Sequence, residues 1–281
     1  GRNAQAVAEL TIGLMLALAR RIISLDAYVK AGRWRTPVEP YIAMHSRSGE
    51  LAGKTLGILG LGRVGCLVAR LAHALDMRVL AYDPYLPAFT KTEAPSPSGQ
   101  SRPAPAPVGS ASYAVPGEGT RAAELAFLDG ATAKAAQLTG PVSLVPALPN
   151  LAARADYISV HVPDTPDTAG LLSRDVLAAV KPGCRIINTS AYHAVDVGAL
   201  VDELRPGRLA GAAFDVFQTH PIPPNSPLLG LDNVVLTPHI GGATQETVAR
   251  HSRMVVEDIA RFLQGWMPER LVNPEVWDRV D

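Results

Sequence analysis

Three glycines, at positions 60, 62 and 65, constrain the fold more than any other feature of this sequence. They lie between an apolar run that predicts a strand, Thr55–Leu59, and a helical pattern over residues 63–75. In this context Gly60 permits a tight turn, Gly62 lets the backbone approach a pyrophosphate, and Gly65 allows close packing of helix on strand. The helix N-terminus adds free N–H groups and partial positive charge. The stretch predicts a dinucleotide-binding βαβ unit.

The acid that such a unit needs is Asp83, at the end of the next predicted strand, Arg78–Tyr82. It follows Gly65 at about the 20-residue spacing expected for a ribose-binding carboxylate. A carboxylate there accepts hydrogen bonds from the ribose hydroxyls and repels a 2′-phosphate. Because no Arg follows in the sequence Asp-Pro-Tyr, NAD is favoured over NADP; a turn-forming Asp-Pro is the alternative interpretation.

Strand-like and helical patterns alternate along much of the remaining chain, which predicts a mostly parallel sheet with helices on both faces. Further strands are predicted at 157–162, 185–188, 210–216 and 234–236, and further helices at 173–180, 197–204 and 244–263. The predicted fold class is therefore α/β, a doubly wound parallel sheet of Rossmann type. Thr244 is only a weak candidate cap for the last helix, because Glu246 is not at capping-box spacing.

A proline-rich segment interrupts this alternation. Residues 87–119 are rich in Pro, Ser, Ala and Gly, and the run PAPAP at 103–107 is incompatible with a helix or a central strand. The pattern predicts a flexible or polyproline-like insertion at about 90–140, with weak helical character over 124–138. A tolerated surface insertion is favoured over a docking tail or a lid.

Composition narrows the classes of function. Lys plus Arg and Asp plus Glu both number 26, so the formal net charge is zero, which argues against nucleic acid or an anionic membrane as partner. The apolar run 4–19 is interrupted by Glu9 and too short to span a bilayer, so a buried helix is predicted. The two cysteines, Cys66 and Cys184, show no disulfide or metal-ligand spacing. A cytoplasmic protein without a metal site is expected.

Polar residues stand where several predicted strands end. They are His161, the run Asn188-Thr189-Ser190, Asp215 and His239. Strand tips that converge beside a dinucleotide suggest a redox site. His239 suits a general acid/base, because the charge of imidazole changes near neutral pH. The histidines at 45, 73 and 251 are interpreted as structural.

At these residues the chain resembles the D-isomer-specific 2-hydroxyacid dehydrogenase family, which includes phosphoglycerate dehydrogenase. The matching stretches are NAQAVAEL (3–10), GILGLGRVG (57–65), YDPY (82–85), ADYISVHVPDTPDTAGLL (155–172), IINT (186–189), RLAGAAFDVF (208–217) and NSPLLGLDNVVLTPHIGGAT (225–244). The resemblance implies a two-lobed, usually homodimeric enzyme. It would pass a hydride between NAD and the hydroxyl-bearing carbon of a small-molecule substrate.

The resemblance also implies roles for individual residues. His239 would shuttle the proton to or from the substrate oxygen. Arg63 and Val64 would lie at the pyrophosphate with the three glycines, and Asp83 at the ribose. The rest of the cofactor cleft would be lined by Val162, Pro163, Thr189, Ser190, Asp215, His239, Gly241 and Gly242.

Two catalytic positions depart from the family pattern. The family usually carries Arg two residues after the Thr of its Asn-Thr pair, where a planar cation binds the substrate carboxylate and polarises the carbonyl. Here that position is Ala191. The family also places a Glu before Pro, hydrogen-bonded to the catalytic His; here His220 precedes Pro221. A second imidazole does not supply the negative charge of Glu.

The resemblance further predicts the domain organisation. Residues 1–50 would hold an interdomain helix and a remnant of the substrate lobe, 51–240 the NAD-binding domain with its insertion, and 241–281 a C-terminal helix that returns to the substrate lobe. The front strands of that lobe would be absent, which gives a truncated second lobe.

Three hypotheses remain open. The first is an active NAD-dependent dehydrogenase with an altered substrate, to which Tyr192, His193 and His220 supply other hydrogen bonds. The second is an NAD(H)-binding regulator or inactive homologue, since Arg and Glu are replaced. The third is a degraded or truncated gene product.

Overall fold

The structure is a computed structural model that describes residues 2–41, 48–86 and 141–279. The described residues form one seven-stranded sheet in the order β3-β2-β1-β4-β5-β6-β7. All neighbouring strands are parallel. The strands are β1 Thr55–Leu59, β2 Arg78–Tyr82, β3 Val142–Leu144, β4 Tyr157–Val160, β5 Arg185–Asn188, β6 Gly211–Phe214 and β7 Val234–Leu236. The strand order reverses between β1 and β4, and a crevice for ligands is expected at such a switch point.

Helices cover both faces of this sheet. They are α1 Ala4–Arg20, α2 Ile22–Lys30, α3 Arg63–Ala74, α4 Leu148–Ala152, α5 Arg174–Ala179, α6 Val197–Leu204 and α7 Gln245–Leu263. On one face α1 and α3 pack on the sheet, and on the other α4, α5 and α6 do so. Adjacent residues of β5 divide accordingly: Ile186 joins the second core and Ile187 the first. Both faces are buried, which explains the continuous apolar strands and confirms the predicted fold class.

The structure corrects three details of the predicted elements. The sequence analysis predicts no strand at β3, because three half-buried residues at the sheet edge carry too short a pattern. The predicted strands 157–162 and 210–216 are shorter in the structure and end at Val160 and Phe214. Thr244 caps α7, since its hydroxyl accepts a hydrogen bond from Thr247 N at 3.1 Å; the prediction of a weak cap was wrong.

The predicted buried helix at the N-terminus is confirmed as α1. Its core-facing residues include Met15, which is fully buried, and the helix packs on β5, β6 and β7 as well as on α3. Within the described ranges, no helix is both long and apolar enough to cross a membrane. The predicted insertion at about 90–140, the weak helix at 124–138 and His45 lie outside the described residues. The division into three parts stays a prediction.

Candidate functional site

The glycine turn, residues 60–65, has the geometry that a dinucleotide requires. Gly60 has φ +89° and a Cβ there would lie 2.6 Å from the carbonyl oxygen of His161. A Cβ on Gly65 would collide with the carbonyl oxygen of Gly60. Gly62 precedes the first residue of α3 and has open space where a Cβ would stand. The turn is therefore tight within the protein and open towards a ligand, which fits a pyrophosphate at the N-terminus of α3.

Asp83 joins the end of β2 to this turn. Its Oδ2 accepts a hydrogen bond from Leu61 N at 2.9 Å, and its Oδ1 accepts one from Tyr85 N at 3.1 Å. A carboxylate has about four lone-pair positions, so capacity remains for ribose hydroxyls. The residues at this end of the cleft thus fit the phosphate and ribose groups of a dinucleotide.

His161 lies directly beneath the glycine turn and is a structural residue. Its Nε2 lies 2.8 Å from Ser159 Oγ, and its Nδ1 has no hydrogen-bond partner among the described residues. Burial lowers the pKa of His161 to about 3, so the imidazole is neutral at physiological pH. Its backbone carbonyl lies against Gly60.

The end of β5 is shaped by Asn188. Its Oδ1 accepts hydrogen bonds from the backbone N–H groups of Ser190 and Ala191, both at 3.2 Å, and its Nδ2 donates to the carbonyl of Ala191 at 2.7 Å. Ser190 Oγ donates to the carbonyl of Val160 at 2.8 Å and so ties this turn to the end of β4. Here Val162 and Pro163 continue the chain, and the Pro163 carbonyl accepts from Thr168 Oγ1 at 2.5 Å.

Thr189 contacts a residue that sequence reasoning missed. Its Oγ1 lies 3.0 Å from Thr11 Oγ1 on α1, and Thr11 donates its own proton to the carbonyl of Val7 at 2.8 Å. Because each hydroxyl has one proton, Thr189 must donate to Thr11. The Thr189 oxygen is therefore left with lone pairs alone. Nothing in the local sequence signals this contact, which joins positions 178 residues apart.

Asp215, at the end of β6, holds the loop that carries His239. Its side chain is 1% exposed and accepts hydrogen bonds from Thr237 Oγ1 at 2.7 Å, Ile240 N at 2.8 Å and Gly241 N at 2.7 Å. These donors bracket His239, whose φ of 57° is unusual for a residue with a side chain. The carboxylate thus fixes residues 237–241, named the His239 loop.

The N-terminal end of α1 packs against the same loop. A Cβ on Gly241 would lie 2.9 Å from Asp215 Oδ2 and 3.3 Å from Val7. A Cβ on Gly242 would lie 3.2 Å from Asn3 Nδ2. The two glycines are therefore needed for close packing beneath the cleft. One helix contacts both the end of β5, through Thr11, and the His239 loop.

His220 and His239 lie side by side. His220 Nε2 is 2.7 Å from His239 Nδ1, the ring centroids are 4.7 Å apart and both side chains are exposed. One nitrogen donates the hydrogen and the other accepts it, according to the tautomers. The structure thus places an imidazole where the resemblance implies a carboxylate, and Nε2 of His239 is the nitrogen that does not face His220.

Ala191 is fully buried and belongs to the core on the α4–α6 face. The following short helix, Tyr192–Ala194, carries the polar groups of this turn. His193 Nδ1 lies 3.2 Å from Asp164 Oδ2, with both side chains about half exposed. Partial burial raises the pKa of Tyr192. Position 191 therefore carries no guanidinium, and the imidazole of His193 pairs with the carboxylate of Asp164 beside it.

Among residues 2–41, 48–86 and 141–279, no group of three or more His, Cys, Asp or Glu side chains is arranged to hold a metal ion. The residues that follow the strands combine a dinucleotide cradle after β1 and β2 with a histidine pair after β6 and β7. The cradle after β1 and β2 defines a dinucleotide-binding fold.

Comparison with known proteins identifies the family. The model of the NAD-binding domain of the D-isomer specific 2-hydroxyacid dehydrogenases matches residues 12–99 and 126–241. The chain belongs to this family, as its resemblance indicates, and the expected cofactor, NAD, is confirmed by the matching domain.

The curated relatives are longer than this chain. A glyoxylate reductase from Thermofilum pendens is 35% identical over 271 residues, which are 96% of this chain and 66% of that protein. A D-3-phosphoglycerate dehydrogenase from Methanocaldococcus jannaschii is 34% identical over 268 residues, 95% of this chain and 41% of that protein. The chain therefore spans about two thirds of the first relative and less than half of the second.

Solved structures show the same fold. The D-mandelate dehydrogenase of Rhodotorula graminis superimposes with a TM-score of 0.71 at 26% identity, over 96% of this chain and 65% of that one. A formate dehydrogenase from Staphylococcus aureus, in complex with NAD, gives a TM-score of 0.68 at 25% identity, over 94% and 63%.

Proposed function

We propose that this protein is an NAD-dependent oxidoreductase that acts on the CH–OH group of a small 2-hydroxy acid or a related substrate, with His239 as the acid/base. Bound NAD supplies or accepts the hydride. The observation that carries the proposal is the His239 loop. The buried carboxylate of Asp215 accepts hydrogen bonds from three donors that flank His239. This loop lies at the carboxyl ends of the strands, as the glycine turn does.

The protein's own residues divide the work as follows. The glycine turn and Asp83 bind and orient the dinucleotide at one end of the cleft. His239 moves the proton at its Nε2, because Nδ1 faces His220 at 2.7 Å. His220 keeps the ring of His239 in place through the hydrogen bond between the two imidazoles. Asp215 acts through the loop backbone and is a positioning residue.

Ala191 bears on the substrate class. Without a planar cation at this position, the site lacks the two-pronged partner that a carboxylate prefers. Tyr192, His193 and His220 are the side chains around the end of β5 and the His239 loop that offer hydrogen bonds to a hydroxylated substrate. We therefore expect weak activity with simple 2-oxo acids and better activity with polyhydroxylated ones.

Turnover tests this proposal. The protein expressed from its complete gene is assayed by NADH absorbance with glyoxylate, other 2-oxo acids and sugar-derived 2-oxo acids. His239→Ala should lower kcat by about 100-fold or more, the usual contribution of a general acid/base. His251→Ala, an exposed histidine on α7, is the matched control and should keep wild-type kcat. Absence of turnover across the panel, or full activity in His239→Ala, would contradict the proposal.

A second candidate function is that of an NAD(H)-binding regulator or an inactive homologue. Two observations favour it: position 191 is a buried alanine, and position 220 carries an imidazole. In this case calorimetry would detect NADH binding, and none of the substrates in the panel would be reduced. Measurable turnover that depends on His239 would rule it out.

We also propose a homodimer. None of the residues of α2 is buried, and the helix exposes Ile22, Ile23 and Val29. Exposed apolar side chains of this size on one short helix fit an interface between two copies. Sedimentation analysis should give twice the monomer mass, and Ile23→Glu should shift the population to monomer. A monomeric wild-type protein would contradict the assignment.

A cytoplasmic location is proposed from the thiols. Cys66 lies in α3 and Cys184 just before β5, both buried. Burial raises the pKa of the Cys184 thiol to about 12, so this thiol resists ionisation and reaction. Such cysteine usage fits a reducing compartment. Localisation of a tagged protein in fractionated cells tests the assignment, and recovery outside the cytoplasmic fraction would contradict it.

A further inference from the structure

The two facing imidazole nitrogens of His220 and His239 can both present lone pairs, as metal ligands do. In a neutral imidazole one nitrogen carries hydrogen and the other carries a lone pair. At 2.7 Å, one of the two facing nitrogens donates to the other. If the donor ring moves its hydrogen to its outer nitrogen, two lone pairs face the same point. That arrangement is unfavourable alone and is stabilised by a cation placed between the rings.

We propose that His220 and His239 form a two-nitrogen binding site for a divalent transition metal of the zinc class. Imidazole is a preferred ligand of zinc, copper and nickel ions. With metal–nitrogen bonds of about 2.0–2.1 Å, two nitrogens of one metal lie roughly 2.9–3.3 Å apart. The observed separation of 2.7 Å needs an opening of a few tenths of an ångström. Both side chains are exposed, so their rings can rotate by that amount.

The backbone prepares one of the two ligands. Asp215 fixes the His239 loop through Thr237, Ile240 and Gly241, so His239 loses little freedom when a metal binds. The described residues offer these histidines no third metal-ligating neighbour. The other coordination positions therefore go to water or to oxygen atoms of a small molecule. We expect a reversible site, weaker than the closed four-ligand sites of structural zinc.

Occupation of this site would regulate the reaction, and this consequence rests on the proposed function. A metal on Nδ1 of His239 keeps the hydrogen on Nε2. The ring then has no lone pair to accept the substrate proton during alcohol oxidation. Metal binding itself depends only on the two nitrogens. Failure of the metal site and failure of the catalytic proposal can therefore be distinguished.

Calorimetry with zinc chloride tests the binding on the whole chain, without NADH. Wild type should show one site per chain. His220→Gln and His239→Gln should each weaken binding by roughly ten-fold or more, the least loss expected when a metal site loses a supporting partner. His251→Gln should bind like wild type. Thermal unfolding midpoints near the wild-type value show that each variant is folded.

Further measurements distinguish the proposed site from an alternative zinc site at His193 and Asp164. His193 beside Asp164 is the other exposed pair, so binding lost in His193→Gln and kept in His220→Gln would overturn the proposal. Long-range ¹H–¹⁵N spectra should show zinc-induced shifts at Nε2 of His220 and Nδ1 of His239. Shifts at other histidines, or no zinc binding by wild type, would also overturn it. In an active preparation, zinc should inhibit oxidation of the hydroxylated substrate by NAD, and a chelator should restore it.

Discussion

At the β1–β2 end of the cleft, Asp83 accepts a hydrogen bond from the backbone of the glycine turn, and both lie within a stretch of some twenty-five residues. At the β5–β7 end, the chemistry depends on His239, His220 and the turn at Ala191, which come from separate parts of the chain. The first region follows the family pattern and the second departs from it at two positions. The comparison teaches that the residues of the cofactor cradle can keep the family pattern while two positions expected to serve the chemistry do not.

The largest effect is expected in the cofactor region. Gly65→Ala would push a Cβ against the Gly60 carbonyl, where backbone must move. If the strain is about 3 kcal/mol, NADH affinity falls by roughly 100-fold. Calorimetric titration with NADH measures it. Gly13→Ala on α1 is the matched control, because a Cβ there meets nothing within 4 Å; NADH affinity of Gly65→Ala close to wild type would contradict the account of the turn.

Asp215→Asn should disturb the chemical region and leave the cofactor end intact. Asn is neutral and keeps one acceptor oxygen, so at least one of the loop N–H groups loses its acceptor, at a cost of about 2–3 kcal/mol of unfolding free energy. A displaced His239 should lower kcat by about ten- to 100-fold with little change in the NADH dissociation constant. The control Asp202→Asn removes an exposed ion pair to Arg174 and should change stability by less than about 0.5 kcal/mol. If NADH affinity fell by the same factor as kcat, Asp215 would be a cofactor contact, which would contradict this account.

A smaller effect is expected where α1 contacts the end of β5. Thr11→Val leaves the Thr189 hydroxyl proton without its acceptor, at a cost of about 1 kcal/mol, so the NADH dissociation constant should rise about three- to ten-fold. Thr11→Ser keeps the hydroxyl and should restore wild-type affinity. Equal values for Val and Ser would show that Thr189 does not depend on Thr11 for its orientation.

Periodicity and turn chemistry predicted most of the fold, because alternating strands and helices leave strong patterns in β1, α3 and β5. The edge strand β3 was missed since three half-buried residues carry too little pattern. The site was predictable where residues follow one another, as at Gly60–Gly65. Thr11 was not, because its partner is 178 residues away. The resemblance places Asp215 in the lining of the cofactor cleft; in the structure its carboxylate accepts hydrogen bonds from three donors of the His239 loop, which no local pattern encodes.

The most direct test of an intact cofactor region beside an altered chemical region is the double variant Ala191→Arg with His220→Glu. Because Ala191 is buried, an unfolding midpoint near the wild-type value is required to show that the variant is folded. We predict that wild type and the double variant bind NADH with the same dissociation constant within about two-fold, and that the double variant alone gains clear NADH-dependent reduction of glyoxylate. His220→Glu alone is the matched control, with a carboxylate beside His239 and no guanidinium. Equal glyoxylate reduction in wild type and the double variant, or NADH binding by neither, would contradict the account.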